Sequence, residues 1–547
     1  MIDGPVSEYE FAPNERPMVP GGPFLPALPP GRRIKYGVTG VIIGIASTFP
    51  NSLITVNVPS LPGPLGLDIT EVSWLPAIFV AIMATANLTL AKARIQFGFP
   101  AVTAFVLLVN CVVGLTQLIW HGFVTAAATR TSNGLTAASL IALSTFYLLQ
   151  AFPAKHRIWG SISAISMAQI GAPLARLVPL DVLTMDNGRG LHLIEPTLCL
   201  FLLALIRLTP LPPSERSKAF ESPDFLTIGL AVPAMLLLCG VLGLGRLYWW
   251  TDAPFLGWML LGCIPLFAGA FIIESRRARP LLWLDWLTTG EMLRIAGVAT
   301  LVRIALAEQT YGSVGLLTSG GLTNDQLHVL FVIVALAIVA GMIAACLTYS
   351  KERLGMQVVV AALVIALGAF IDSGANNLTR PPQIYLSQAL IGFGTTLFIG
   401  PALLYFFFKM MPKGADHFVS FVVLFASTQN VGALAGSALL GSYEFSQARR
   451  HAAYLAEHVS LADPQVVQRL QSGAGAVAGA LPDPALRSAE GVALLGQRLS
   501  AEANILAFND VFRLVAALAL LTAVFLIYRI TWTAWRERRR ARAGVPA

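Results

Sequence analysis

The sequence predicts an all-α membrane protein with about fourteen transmembrane helices. Three observations predict it. Of the 547 residues, 56% are hydrophobic and 12% are Asp, Glu, Lys or Arg, and the mean hydropathy is +0.70; that is too little polar surface to coat a soluble globule of this length. Apolar stretches of about 20 residues, the length that crosses a bilayer core as helix, recur along the chain. The basic residues behind the net charge of +8 fall in short clusters between apolar stretches. That is a pattern of membrane orientation rather than of nucleic-acid binding.

Taken in order, residues 1–35 are rich in proline and glycine (P-G-G-P-F-L-P-A-L-P-P-G) and end in Arg32, Arg33 and Lys35. They read as a disordered cytoplasmic tail, with no leading apolar stretch of a cleaved signal peptide. Spans follow with centres near Gly44, Ile82, Val109, Leu140, Met167, Phe201, Met235 and Pro265. A second series centres near Val302, Val334, Val364, Phe398, Leu424 and Leu520.

Orientation follows from lysine and arginine. Counted from an inside N-terminus, the inside loops hold Lys92 and Arg94, Lys155 and Arg157, Arg216 and Lys218, Arg276, Arg277 and Arg279, Lys351 and Arg353, and Lys409 and Lys413. A basic tail, residues 536–547, adds Arg536, Arg538, Arg539, Arg540 and Arg542. The expectation is a multi-pass protein with both termini cytoplasmic. One outside segment, residues 442–509, is polar, mixed in charge and alanine-rich, with helix-like pieces around Gln447 to Val459 and Leu486 to Leu506. It reads as a small helical excursion, either an ordinary solvated loop or a docking surface for a partner protein.

The chain carries no phosphate-binding G-x-x-x-x-G-K-[ST] loop, no H-E-x-x-H, no G-x-S-x-G and no cysteine/histidine ligand spacing. The five cysteines, Cys111, Cys199, Cys239, Cys263 and Cys346, all fall in apolar runs and read as buried small residues. A non-enzyme without metal or organic cofactor is expected. A transporter or channel remains, and active transport then needs an ion gradient.

Charged residues inside spans are the candidates for function. An arginine at membrane depth costs at least ~2.5 kcal/mol, so it faces protein or water by default. Arg130 is the one formal charge between Phe123 and Phe152. Arg176 and Glu195 sit near the outer ends of the fifth and sixth spans, Arg303 near the middle of the ninth, Glu308 in its outer half and Asp372 at the mouth of the eleventh. Their gathering in one outer-half layer predicts a shared, partly hydrated cavity. Pro50 with Asn51, Gly171 with Pro173, and Gly400 with Pro401 are candidate hinges, because each breaks the helical hydrogen-bond ladder. Gly432 and Gly436 form a G-x-x-x-G face for close helix approach.

These residues together resemble the fourteen-span drug:proton antiporters of the major facilitator superfamily, and among them the type that works with a periplasmic adaptor. Ile54 to Pro59 (I-T-V-N-V-P) resembles that family's T-I-V-N-V-A-x-P stretch. Arg130, Asn133 and Gly134 match its R-x-x-Q-G motif with asparagine for glutamine, Ala172 and Pro173 correspond to its G-P pair, and Ala507 to Phe512 (A-F-N-D-V-F) match the start of its last span. The resemblance implies the major facilitator fold: an N-terminal six-helix bundle over 36–210, two inserted helices over 211–280, and a C-terminal six-helix bundle over 281–535. The bundles would rock about a central site in alternating access, related as parallel repeats. It also implies a bacterial inner-membrane location, a small-molecule substrate, a proton gradient, and an adaptor (a membrane fusion protein) with an outer-membrane channel as partners.

The sequence departs from the family in three places. The aspartate usual in the first span is Ser52, and a hydroxyl carries no proton at physiological pH. Proton coupling would then fall to Glu308, with Arg130 and Arg303 as its partners; the same groups also fit a fixed buried ion pair. Ala93 stands where the loop after the second span normally has an acid. Arg176 and Leu177 replace a glycine pair, which adds a cation near the expected substrate cavity of Asn51, Ser52, Asn133, Arg176 and Glu195. Arg176 either favours a lipophilic acid as substrate or pairs with Glu195.

Two functions fit. One is proton-coupled efflux of amphipathic drugs or toxins as the permease of a tripartite pump; the other is a receptor-like or uncoupled transporter descendant that does not pump.

Overall fold

A computed structural model describes residues 21–542, with Glu15 and Pro17 ahead of them. Most of the expected disordered tail lies outside the described residues, but its last part is ordered. Phe24 N–H donates to Pro213 O (3.0 Å), while Phe24 O accepts from Gln150 Nε2 (2.8 Å) and Leu25 O from Arg157 Nη2 (2.7 Å). Leu25 and Leu28 are buried. Proline supplies no N–H, so the carbonyls of this strap turn to side chains of the bundle instead of to a helix. Helix begins at Pro30, where the fixed φ of proline suits a first turn.

Among the described residues thirteen helices are long and apolar enough to cross a membrane. They are α1 Pro30–Thr55, α2 Ile69–Phe97, α3 Phe99–Thr116, α4 Phe123–Ala151, α5 Ala154–Ala175, α6 Gly188–Leu208 (helical from Leu180), α7 Ser222–Leu244 and α8 Pro254–Ser275. The ninth segment, α9, is interrupted: Gly290–Ala305 is followed by a π-helical turn at Glu308–Gly312 and by Ser313–Ser319. Then come α10 Asn324–Leu347, α11 Leu354–Asp372, α12 Pro381–Lys413, α13 Phe418–Glu457 and α14 Pro484–Arg542. With α9 the described residues form fourteen segments, and the protein is a multi-pass membrane protein.

Within the first bundle α1 packs on α4, α4 on α2, α3 and α5, and α3 on α6. In the second, α12 packs on α10 and α11, α14 on α11 and α13, and α13 on α9. Of the inserted pair, α7 lies against α2 and α8 packs on α7. The bundles meet where α2 touches α13 and where α5 touches α10 and α12. Two glycines make close approaches that any side chain would obstruct. A Cβ on Gly171 would stand 2.2 Å from Thr48 Oγ1, and one on Gly436 would stand 2.8 Å from Ala307 Cβ and 2.9 Å from Ile304 Cα. The G-x-x-x-G face of α13 is therefore the seat of α9, with Gly432 beneath the Arg303 stem.

At the end where α1 begins, here termed the N-terminal face, a charge cluster ties α7 and α8 to the first bundle. Asp224 is fully buried, accepts from Lys92 (2.5 Å) and forms an ion pair with Arg277 (2.8 Å). Glu274 takes Arg277 (2.8 Å), Thr227 Oγ1 (2.5 Å) and the Leu281 N–H (2.5 Å). Burial opposes the Arg277 charge, yet Asp224, Glu274 and Glu221 together hold its guanidinium above the ordinary arginine range. The acid missing at Ala93 is thus supplied by another helix.

At the far face α13 and α14 run on past any bilayer thickness. The 40 residues of α13 span about 60 Å against a hydrocarbon core of about 30 Å. The helical pieces expected at Gln447–Val459 and Leu486–Leu506 are these extensions. A further helix, Pro464–Ala476, was not expected, because its S-G-A-G-A run reads as a breaker. The glycines there serve contact: a Cβ on Gly491 of α14 would stand 2.7 Å from Leu470 O.

Candidate functional site

A cavity of about 1360 Å³ lies between the bundles. The first bundle lines it with Thr48, Asn51, Ser52, Phe79, Gln169 and Arg176, and the second with Arg303, Gln309, Phe331, Gln388 and Gln429. It reaches the N-terminal face at the exposed Lys218, Arg279 and Asp416. At the far face the bundles are bridged: Arg176 Nη1 donates to Asn324 Oδ1 (3.0 Å), and Asn324 Nδ2 donates to Asn57 Oδ1 (3.0 Å). Leu174 and Leu177 pack there against Leu327, Leu330 and Phe331.

Of the charges expected to converge on one cavity, Arg176 and Arg303 line it, whereas the other four are divided between two separate clusters, each inside one bundle. In the first, Arg130 of α4 pairs with Glu195 of α6, both almost fully buried. Asn133 Nδ2 donates to the other oxygen of Glu195 (3.0 Å), Asn110 Nδ2 to Asn133 Oδ1 (2.8 Å), and Ser132 Oγ to Asn110 Oδ1 (2.6 Å). The R-x-x-N spacing puts both donors on the face of α4 that meets α6. Arg130, Asn133 and Glu195 do not line the large cavity. Asn133 and Glu195 reach only a space of about 10 Å³, shared with Pro50 and Asn51. Asn51 lines both spaces and joins this cluster to the large cavity.

In the second bundle Glu308 neighbours Asp372, with no arginine between them among the described residues. Ser313 Oγ donates to Glu308 and lies 3.2 Å from Asp372 Oδ2. Gln388 Nε2 reaches Asp372 Oδ2 (2.8 Å), Glu308 Oε1 (3.2 Å) and Ser313 Oγ (2.5 Å), and Ser387 Oγ donates to Asp372. All five residues are buried. The π turn builds this site: its wider winding places Glu308 beside Ser313 of the next turn. Among the described residues the two carboxyls are served by amide and hydroxyl groups, and two ionised carboxylates side by side in a dry interior are costly. Gln388 is the member that also lines the cavity.

Neither expected ion pair of Glu308, with Arg303 or with Arg130, is formed. Arg303 stands five positions before Glu308 and faces the cavity. Its Nε donates to Gln429 O (3.2 Å) and its Nη1 faces Gln169 Oε1 (3.5 Å). Arg176 does not pair with Glu195, which is taken by Arg130; it sits over the Phe331 ring (5.2 Å) and on Asn324. Asn51, Ser52 and Arg176 line the cavity, and Asn133 and Glu195 do not. Of the candidate hinges, α5 changes to a 3-10 turn at Ala168–Ile170 ahead of Gly171 and Pro173. The helices carrying Pro50 and Pro401 are continuous, and Gly400 packs on Ile162 of α5. Asp372 was placed at a helix mouth, and its partnership with Glu308 needs the fold to be seen.

No protein-family model and no curated protein matches the chain. Solved structures do. A proton-dependent oligopeptide transporter structure superposes with a TM-score of 0.54 at 11% identity, over 91% of this chain and 99% of that chain. A bacterial homologue of the human drug peptide transporters PepT1 and PepT2 gives 0.53 at 11%, over 92% and 99%. A peptide transporter in complex with alafosfalin gives 0.51 at 16%, over 90% and 93%. The likeness is one of fold.

Proposed function

We propose that this chain, which has the major facilitator fold, is a proton-coupled exporter of amphipathic small molecules. The observation that carries the proposal is the Glu308 and Asp372 pair, two cation-free carboxyls one side chain behind the wall of an inter-bundle cavity. Gln388 touches both carboxyls and the cavity, so a substrate that moves Gln388 changes the environment of the proton site. Protonation and occupancy are then coupled through one amide. Proton-dependent transport by the structural neighbours agrees with this reading.

The N-terminal face, rich in lysine and arginine, is cytoplasmic in this proposal, and the membrane is a bacterial inner membrane. Substrate enters between Lys218 and Arg279 and leaves when the Asn57, Asn324 and Arg176 bridge opens. The extension of α13, α14 and Pro464–Ala476 docks a periplasmic adaptor, which passes substrate to an outer-membrane channel. Arg130 and Glu195 hold α4 to α6 and signal to the cavity through Asn51.

The test is transport by purified protein in liposomes. An imposed proton gradient is expected to drive dye or drug accumulation, and substrate to release protons down their gradient. Binding without any flux would favour the receptor-like alternative. Deleting residues 460–482 is expected to abolish adaptor co-purification while leaving the flux.

A further inference from the structure

Away from its N-terminal rim the cavity wall is charged in one sense only. Its carboxylates, Glu221 and Asp416, both stand at the N-terminal rim, and deeper in the wall carries arginines alone. Arg303 is the deep one that projects from the second bundle toward the first. Among the described residues no carboxylate lies within ion-pair distance of it, and its two partners are a carbonyl oxygen and an amide oxygen. Beside it Gln429, 93% buried, lines the same cavity with neither its amide nitrogen nor its amide oxygen hydrogen-bonded among the described residues.

An unbalanced guanidinium next to an idle amide, in a hollow walled by Phe79, Phe331 and Phe425, is a composition that fits one class of guest. A carboxylate takes two parallel N–H donors from an arginine and a third from a neighbouring amide, and its hydrocarbon body fills the aromatic remainder. A cation there would meet like charge with no compensating acid. We propose that Arg303 and Gln429 form the head-group seat for an amphipathic organic carboxylate. Gln169 faces Arg303 from the other bundle, so a seated carboxylate draws α5 and α9 together. This rests on the exporter reading and names its substrate class.

The experiment is fluorescence binding of dansylaminoundecanoic acid and of its methyl ester to the full chain in nanodiscs, with empty nanodiscs subtracted. The acid is expected to bind and the ester to bind far more weakly. Arg303→Gln is expected to weaken the acid by about thirtyfold or more, as for loss of one partner of a buried charged contact. Gln429→Leu tests the seat without disturbing a charge, and is expected to weaken the acid and leave the ester unchanged. Equal binding of acid and ester, or acid binding indifferent to both substitutions, overturns the proposal. If Arg303→Gln does not fold, Gln429→Leu alone decides. Acid binding with no proton flux keeps the seat and rejects the exporter, whereas flux with cationic or neutral compounds and no acid binding does the reverse.

Discussion

Glu308 and Asp372, 64 positions apart on α9 and α11, share Ser313 and Gln388 as hydrogen-bonding neighbours and have no cation between them among the described residues. Arg130 and Glu195 form the opposite arrangement in the other bundle, an acid neutralised by a base. One bundle thus carries a buried ion pair and the other a pair of acids.

Substitution separates the two carboxyls. Glu308→Gln keeps the size and hydrogen-bonding capacity of the side chain and removes its titration. It is expected to abolish proton-driven accumulation in liposomes while leaving downhill substrate exchange. Asp372→Asn is expected to shift the pH dependence of uptake, since Asp372 sets the charge that Glu308 meets. Wild-type accumulation by Glu308→Gln would remove the pair from the mechanism.

The Arg130 and Glu195 pair is predicted to be structural. Arg130→Gln leaves a buried carboxylate without its cation and should destabilise by about 3–5 kcal/mol, the usual cost of breaking a buried pair from one side. The double variant with Glu195→Gln should recover much of the loss, read by thermal unfolding in detergent. Equal losses for the single and double variants would contradict this.

Asn324 accepts from Arg176 and donates to Asn57, and so holds the far face through one side chain. Asn324→Ala is expected to raise the rate at which a cysteine placed at Ser52 is labelled by an impermeant thiol reagent added from the far face. An unchanged rate would mean that the packed leucines and Phe331 hold the closure without it.

Gly436→Val is expected to push α13 from α9, because even a Cβ there meets the Ile304 backbone at 2.9 Å. Backbone cannot yield as a flexible side chain does, so a loss of folded protein on gel filtration is predicted. Gly257, with open space around it, should tolerate the same change.

Helix number, the two bundles and the inserted pair were legible because composition and basic clusters act over whole segments. Single side chains were legible by depth alone. Depth placed Arg130, Glu195, Arg303 and Glu308 in one layer, but the direction of each from its helix axis separates cavity from cluster, and the π turn after Ala307 alters that direction for Glu308. Asp372 was read as a mouth residue because nothing in α11 reveals Ser387 and Gln388 on α12. The strap at 21–29 was missed for a similar reason: its carbonyls are satisfied by Gln150 and Arg157, distant in sequence.

The most direct measurement is proton release into lightly buffered detergent, followed with a pH dye, when substrate is added to purified protein. The wild-type protein should release protons on binding, and Glu308→Gln should bind the same substrate and release none. Equal release by both would place the exchangeable proton elsewhere and contradict the role assigned to Glu308 and Asp372.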